Sequence, residues 1–125
     1  MPTARILVVD DSPLIREIVS QILSAWGYDV TLAEDGKDGF TKAQEEADQF
    51  NLILTDMQMP RMNGEQLLLQ LRAAKNETPV ILFSSMFGDD PRERSTMEAL
   101  GFAAVMKKPF DHDELHSVIR NIIGK

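Results

Sequence analysis

Four short apolar runs, each ending in polar groups, constrain this chain more than any other feature. Ile6-Leu7-Val8-Val9 leads into Asp10-Asp11, and Leu52-Ile53-Leu54-Thr55 into Asp56. Val80-Ile81-Leu82-Phe83 leads into Ser84-Ser85, and Ala103-Ala104-Val105-Met106 into Lys107-Lys108-Pro109. Short apolar runs bounded by turn residues are read as strands buried on both faces of a parallel sheet. In open α/β sheets the chemistry gathers beyond the carboxyl ends of the strands. Laid side by side, these strands bring three carboxylates, a hydroxyl and an ammonium into one pocket.

Between the runs the apolar spacing turns helical. Ile15, Ile18, Val19, Ile22 and Leu23 form one stripe, with Ser12 as N-cap, Pro13 at the first helical position and Gly27 as the stop. Tyr28 to Ala33 reads as a strand, Asp35-Gly36 as a turn, and Lys37 to Asp48 as a more polar helix with Phe40, Ala43 and Ala47 inward. Asn63-Gly64-Glu65-Gln66 reads as a capping box opening a third helix, with Leu67, Leu68 and Leu71 toward the sheet. Asp90-Pro91 and Glu93 open a fourth helix that Gly101 closes. Asp111 and Glu114 cap a fifth, with Leu115, Val118, Ile119, Ile122 and Ile123 on one stripe. Alternating strands and helices imply an α/β fold with right-handed crossovers, a doubly wound sheet with helices on two faces. The first strand is expected at its centre, since its apolar run is the purest.

The 125 residues suit a single domain, 1–125. A formal net charge of -7 argues against nucleic acid and anionic membrane as direct partners, because both reward clustered Lys and Arg. The chain has no cysteine, hence no thiolate metal site or thiol nucleophile. With no apolar run of membrane-spanning length and no signal-peptide pattern at the start, the expectation is a cytoplasmic protein.

Asp10, Asp11 and Asp56 are expected within about 5 Å of one another, where each like-charge pair costs on the order of 3 kcal/mol at an effective dielectric of about 20. Such a cluster requires a counter-ion or raised pKa values. An all-oxygen site without nearby histidine suits Mg²⁺, or Mn²⁺, rather than zinc. The simpler reading, that Asp10-Asp11 only turn the chain and cap a helix, weakens once Asp56 ends a second buried strand. Lys108, held extended by Pro109, becomes a cation facing the acids if it points along the carboxyl end of the sheet, and is a surface lysine otherwise. Ser84 or Ser85 offers a hydroxyl to a phosphoryl oxygen or simply turns the chain. Nucleotide and flavin binding fail for want of the glycine-rich phosphate loops. A haloacid-dehalogenase-like phosphatase fails because Asp56-Met57-Gln58 lacks a second acid.

Over its whole length the chain resembles the receiver domain of bacterial two-component response regulators, of the single-domain chemotaxis type. ILVVDDSPLIR, LILTDMQMPRMNGEQLL, PVILFSS and KKPF carry the resemblance. It implies a flavodoxin-like, five-stranded parallel sheet in the order 2-1-3-4-5. It also implies phosphorylation of an aspartate, by position Asp56, by a histidine kinase or histidine phosphotransfer protein. By the same carry-over Asp11, Asp56 and the backbone carbonyl of Gln58 ligate the metal, and Asp10 acts through metal-bound water. Ser84 takes the switch hydroxyl position and Lys108 the phosphate-pairing position, with Pro109 supporting the loop. Val105 replaces the aromatic residue usual three positions before that lysine, so the aromatic part of the switch is expected to be lost. Met86 and Gln58 fall where the family tunes dephosphorylation, and the loop from Met86 to Asp90 is about two residues longer than in the chemotaxis relative.

The expected function is therefore phosphorylation-dependent signalling by a protein that is no enzyme beyond its own phosphorylation and dephosphorylation. Output runs through a downstream protein on the face of the fourth helix, fifth strand and fifth helix, from a monomer or a weak phosphorylation-dependent dimer. The rivals are a phosphorelay intermediate, a phosphorylation-independent interaction module and a small Mg²⁺-dependent phosphohydrolase. His112 and His116, one turn apart, read as solvated helix positions, and Trp26 as helix-end packing. Met57, Met59, Met62 and Met86 read as a partner surface or as gap-fillers beside the sheet.

Overall fold

The computed structural model describes residues 3–45, 50–84, 91–107 and 111–124. Strands β1 (Arg5–Val9), β2 (Asp29–Ala33), β3 (Leu52–Asp56), β4 (Val80–Ser84) and β5 (Ala104–Lys107) alternate with helices α1 (Pro13–Ala25), α2 (Gly36–Glu45), α3 (Gly64–Ala73), α4 (Pro91–Leu100) and α5 (His112–Ile123). Every strand pairing is parallel and the order is β2-β1-β3-β4-β5. This is the expected flavodoxin-like arrangement.

Period-two alternation sorts the strand side chains into two cores. Leu7, Val9, Ile53, Val80, Leu82 and Val105 pack with Ala43 of α2, with Leu67, Leu68 and Leu71 of α3, and with Met97 of α4. Ile6, Val8, Leu52, Leu54, Ile81, Phe83 and Met106 pack with Val19 and Leu23 of α1 and with Leu115 and Ile119 of α5. Continuous apolar runs are needed because both faces are covered.

Apolar purity marks an interior strand but not the middle one. β1 is interior, between β2 and β3, yet the middle place belongs to β3, whose Leu52, Ile53, Leu54 and Thr55 are all fully buried. The order is the one the family resemblance implies, with β3 in the middle. β2 lies at the edge and is correspondingly half-exposed.

The helix starts follow their local chemistry. Ser12 Oγ accepts the Ile15 N–H at 3.3 Å, and Asn63 and Gln66 exchange side chain-to-backbone hydrogen bonds at 2.8 and 2.9 Å. Each such cap contributes about 1 kcal/mol. Asp35-Gly36 is not a free turn: Asp35 Oδ1 accepts the Asp38 N–H at 2.8 Å and Gly36 already belongs to α2. Phe40 and Ala43 face the core as expected, whereas Ala47 lies outside the described residues. Among the described residues no helix is long and apolar enough to cross a membrane.

Candidate functional site

The strand register brings the acids together. Val9 pairs with Thr55, so one further step along each strand sets Asp10 level with Asp56. Asp10, Asp11 and Asp56 each offer a carboxylate oxygen, and all three oxygens lie within 4.8 Å of one another. Asp10 is buried, Asp56 half-buried and Asp11 exposed, so the cluster opens to solvent beyond the carboxyl ends of the strands.

Asp10 also turns the chain: its Oδ1 accepts the Ser12 N–H at 2.9 Å, while its carbonyl accepts from Arg16 of α1 at 2.6 Å. The two readings of the aspartate pair are thus compatible. Ser12 does the capping, Asp10 bends the loop, and the carboxylates still converge. Three anionic oxygens at this spacing, without a thiolate and without either histidine, form a donor set that fits a hard divalent cation.

Asp56 is held from behind. The Thr55 hydroxyl donates to the Asp56 carbonyl at 2.9 Å. The Met57 N–H donates to the Phe83 carbonyl at 3.1 Å, and the Gly64 N–H to the Met57 carbonyl at 2.8 Å. A Cβ on Gly64 would meet the Asp56 carbonyl oxygen at 2.6 Å, so α3 approaches the end of β3 through a position that tolerates no side chain.

The remaining expected residues distribute as follows. Ser84 ends β4, is buried and pairs in register with Lys107. Gln58 sits exposed two residues beyond Asp56. Val105 is buried in the core facing α2 and α3. Lys108, Pro109, Ser85 and Met86 lie outside the described residues. Met57, Met59 and Met62 are half-buried against the core, which favours the gap-filling reading.

His116 departs from expectation. It is half-buried and stacks on Trp26, with ring centroids 4.1 Å apart and planes 5° from parallel. Its helix neighbours Leu115 and Ile119 lie in the same core cluster as Val19 and Leu23 of α1, against which Trp26 also packs. His112 is exposed, and neither histidine joins a metal-ligating group among the described residues.

Sequence reasoning did not foresee the charged pair of Asp35 and Arg61. Asp35 is buried at the start of α2 and Arg61, in the loop after β3, donates to its Oδ2 from Nε at 3.0 Å and also from a terminal nitrogen. Burial alone would raise the Asp35 carboxyl. The Asp38 amide and the Arg61 guanidinium outweigh it and hold the group below the usual carboxylate range. The hydrogen bond and charge of Asp35 raise Arg61 in turn. The Asp-Gly step before an amphipathic stretch could have signalled the Asp35 cap, but nothing local marks Arg61 as its partner.

The family model for the response regulator receiver domain matches residues 6–120. The probable transcriptional regulator ycf27 of Porphyridium aerugineum is 33% identical over 125 residues, covering 100% of this chain and 50% of that protein. The chain thus spans about half the length of such curated relatives. A Francisella response regulator receiver domain superposes with a TM-score of 0.90 at 28% identity, covering 98% of each chain. The receiver domain of a sensor histidine kinase from Pseudomonas aeruginosa PAO1, with magnesium coordinated in its active-site cleft, gives 0.85 at 27% identity, covering 99% of this chain and 100% of that one.

Proposed function

Since the chain belongs to the response regulator receiver domain family, we propose that it accepts a phosphoryl group on Asp56 from a histidine kinase or histidine phosphotransfer protein and relays that event through its surface. The observation that carries this reading is the meeting of Asp10, Asp11 and Asp56 at the carboxyl ends of β1 and β3. The carboxylates, with the Gln58 carbonyl, would hold Mg²⁺ or Mn²⁺, as the magnesium in the Pseudomonas aeruginosa relative suggests. When bound, the cation would supply charge neutralisation for the acids and for an incoming phosphoryl group.

The chain's own residues do the rest. An Asp56 carboxylate oxygen forms the new O–P bond as the P–N bond to the donor histidine breaks, and the electron pair returns to the imidazole. The Thr55 hydroxyl and the backbone contacts of Met57 and Gly64 hold the chain at Asp56 in place. Ser84 and Lys108 supply a hydroxyl and an ammonium to the transferred group, which carries nearly two negative charges. Their movement toward it biases the surface of α4, β5 and α5, the proposed contact for a downstream protein. No turnover of external phosphoesters is proposed.

Incubation with acetyl phosphate and Mg²⁺ followed by intact-mass measurement tests the reading. A single phosphoryl adduct, lost in Asp56→Asn, is the expected result. No adduct would leave an interaction module, and turnover of many phosphoester equivalents a hydrolase. A second reading, an intermediate in a phosphorelay, gains support from the sensor-kinase receiver among the structural relatives. Loss of the adduct on adding histidine phosphotransfer domains would favour it.

A further inference from the structure

We propose that the Arg61–Asp35 ion pair is a positioning device for the divalent-cation site, holding the loop after β3 in the shape that presents the Gln58 carbonyl and so setting cation affinity. The inference rests on the function proposed above and adds to it a pair of residues that touch neither cation nor phosphate.

The loop from Met57 to Asn63 contains a turn that does not hold itself. The Met62 N–H donates to the Pro60 carbonyl at 2.7 Å, and Arg61 between them has φ +70°. A three-residue turn with positive φ at its centre is rare and strained for a residue bearing Cβ. Such a conformation persists only where the surroundings over-determine it.

Here the surroundings are Asp35 and the first turn of α2. Both hydrogen bonds of the Arg61 guanidinium fall on Asp35 Oδ2, and Glu34 lies 3.7 Å away. The other Asp35 oxygen is held by the Asp38 N–H, so the anchor belongs to a helix and cannot follow the loop. Exposed ion pairs usually contribute little. Here the Arg61 side chain is 58% exposed, but its partner carboxylate is buried and hydrogen-bonded to α2, and the arginine fork is rigid. Gly36 completes the seat: a Cβ there would lie 2.2 Å from the Met62 carbonyl oxygen and 2.8 Å from Met62 Cβ.

At the loop's other end Met57 is bonded to both Phe83 and Gly64. Gln58, Met59 and Pro60 are therefore strung between two fixed points, and Pro60 has its own φ locked. Gln58 itself is exposed, two residues beyond Asp56. A carbonyl held in place loses little freedom on meeting a cation, so affinity gains what ordering would otherwise cost.

Mn²⁺ titration of the full chain, followed by electron paramagnetic resonance, tests the proposal, with thermal unfolding measured on the same samples. Arg61→Ala and Asp35→Asn are each expected to weaken Mn²⁺ binding about ten-fold. The double variant is expected to bind no more weakly than the poorer single one, and Arg61→Lys to recover part of the loss. Arg61→Gly accepts the positive φ without strain, so it keeps the fold while still binding weakly. Arg72→Ala removes hydrogen bonds to the Asn76 and Thr78 carbonyls, before β4 at the far end of the sheet. It is expected to lower stability with Mn²⁺ affinity unchanged. Folded Arg61 and Asp35 variants with wild-type affinity overturn the inference while leaving the phosphoacceptor reading intact. A wild-type chain that takes up no Mn²⁺ at millimolar levels, or Asp56→Asn binding as tightly as wild type, overturns both.

Discussion

Gly64, the first residue of α3, lies so close to the end of β3 that an added Cβ would sit 2.6 Å from the Asp56 carbonyl oxygen. The proposed phosphoacceptor is therefore positioned by a residue whose contribution is the absence of a side chain. Gly64→Ala is expected to cost about 1–3 kcal/mol through overpacking, with slower phosphorylation by acetyl phosphate as Asp56 shifts. Urea denaturation and intact-mass time courses check the two effects; an unchanged phosphorylation rate in a destabilised variant would separate them.

The acid cluster links cation binding to stability. Mg²⁺ at ten times its dissociation constant is expected to stabilise the wild-type chain by about 1.4 kcal/mol through mass action. In Asp56→Asn the increment should shrink, while the variant without Mg²⁺ should be more stable than wild type because one mutual repulsion is gone. Thermal unfolding with and without Mg²⁺ measures both. Equal Mg²⁺ responses in the two proteins would remove Asp56 from the site.

Asp35 gives stability a specific pH dependence. Its folded carboxyl titrates below the unfolded value, so between the two the unfolded chain binds more protons and stability rises with pH. The contribution is complete above the unfolded pKa of about 4 and is lost as pH falls through the folded value. Asp35→Asn is therefore expected to be less stable than wild type near neutrality, with the gap closing in acid. A gap independent of pH would contradict the ion pair.

Trp26 and His116 tie the end of α1 to α5 by stacking at 4.1 Å. His116→Ala is expected to cost about 0.5–1.5 kcal/mol, the range of an aromatic pair, and to change the emission of the chain's single tryptophan. An unaltered fluorescence spectrum would mean that the rings do not meet in solution.

Core positions set the scale for these effects. Leu54→Ala, at a fully buried position of the middle strand, is expected to cost about 2–5 kcal/mol. Leu14→Ala, at a side chain 67% exposed, is expected to stay within about 0.5 kcal/mol. Chemical denaturation of the two variants should give that contrast.

Much of this was legible in residue order, because periodicity and capping are local. Runs such as Leu52 to Thr55 announce burial on two faces, Ser12-Pro13 and Asn63 announce helix starts, and acids following two such runs announce a polar strand-end site. The apolar runs alone did not rank β1 against β3; the family resemblance gave the order with β3 in the middle, and the closed sheet bears it out. What tertiary structure alone decided was partnership. Arg61 found Asp35 through a positive-φ turn, and His116 found Trp26 by helix docking. Local patterns say which surfaces must be covered; only the closed chain settles what covers them, since that depends on register and packing between segments far apart in sequence.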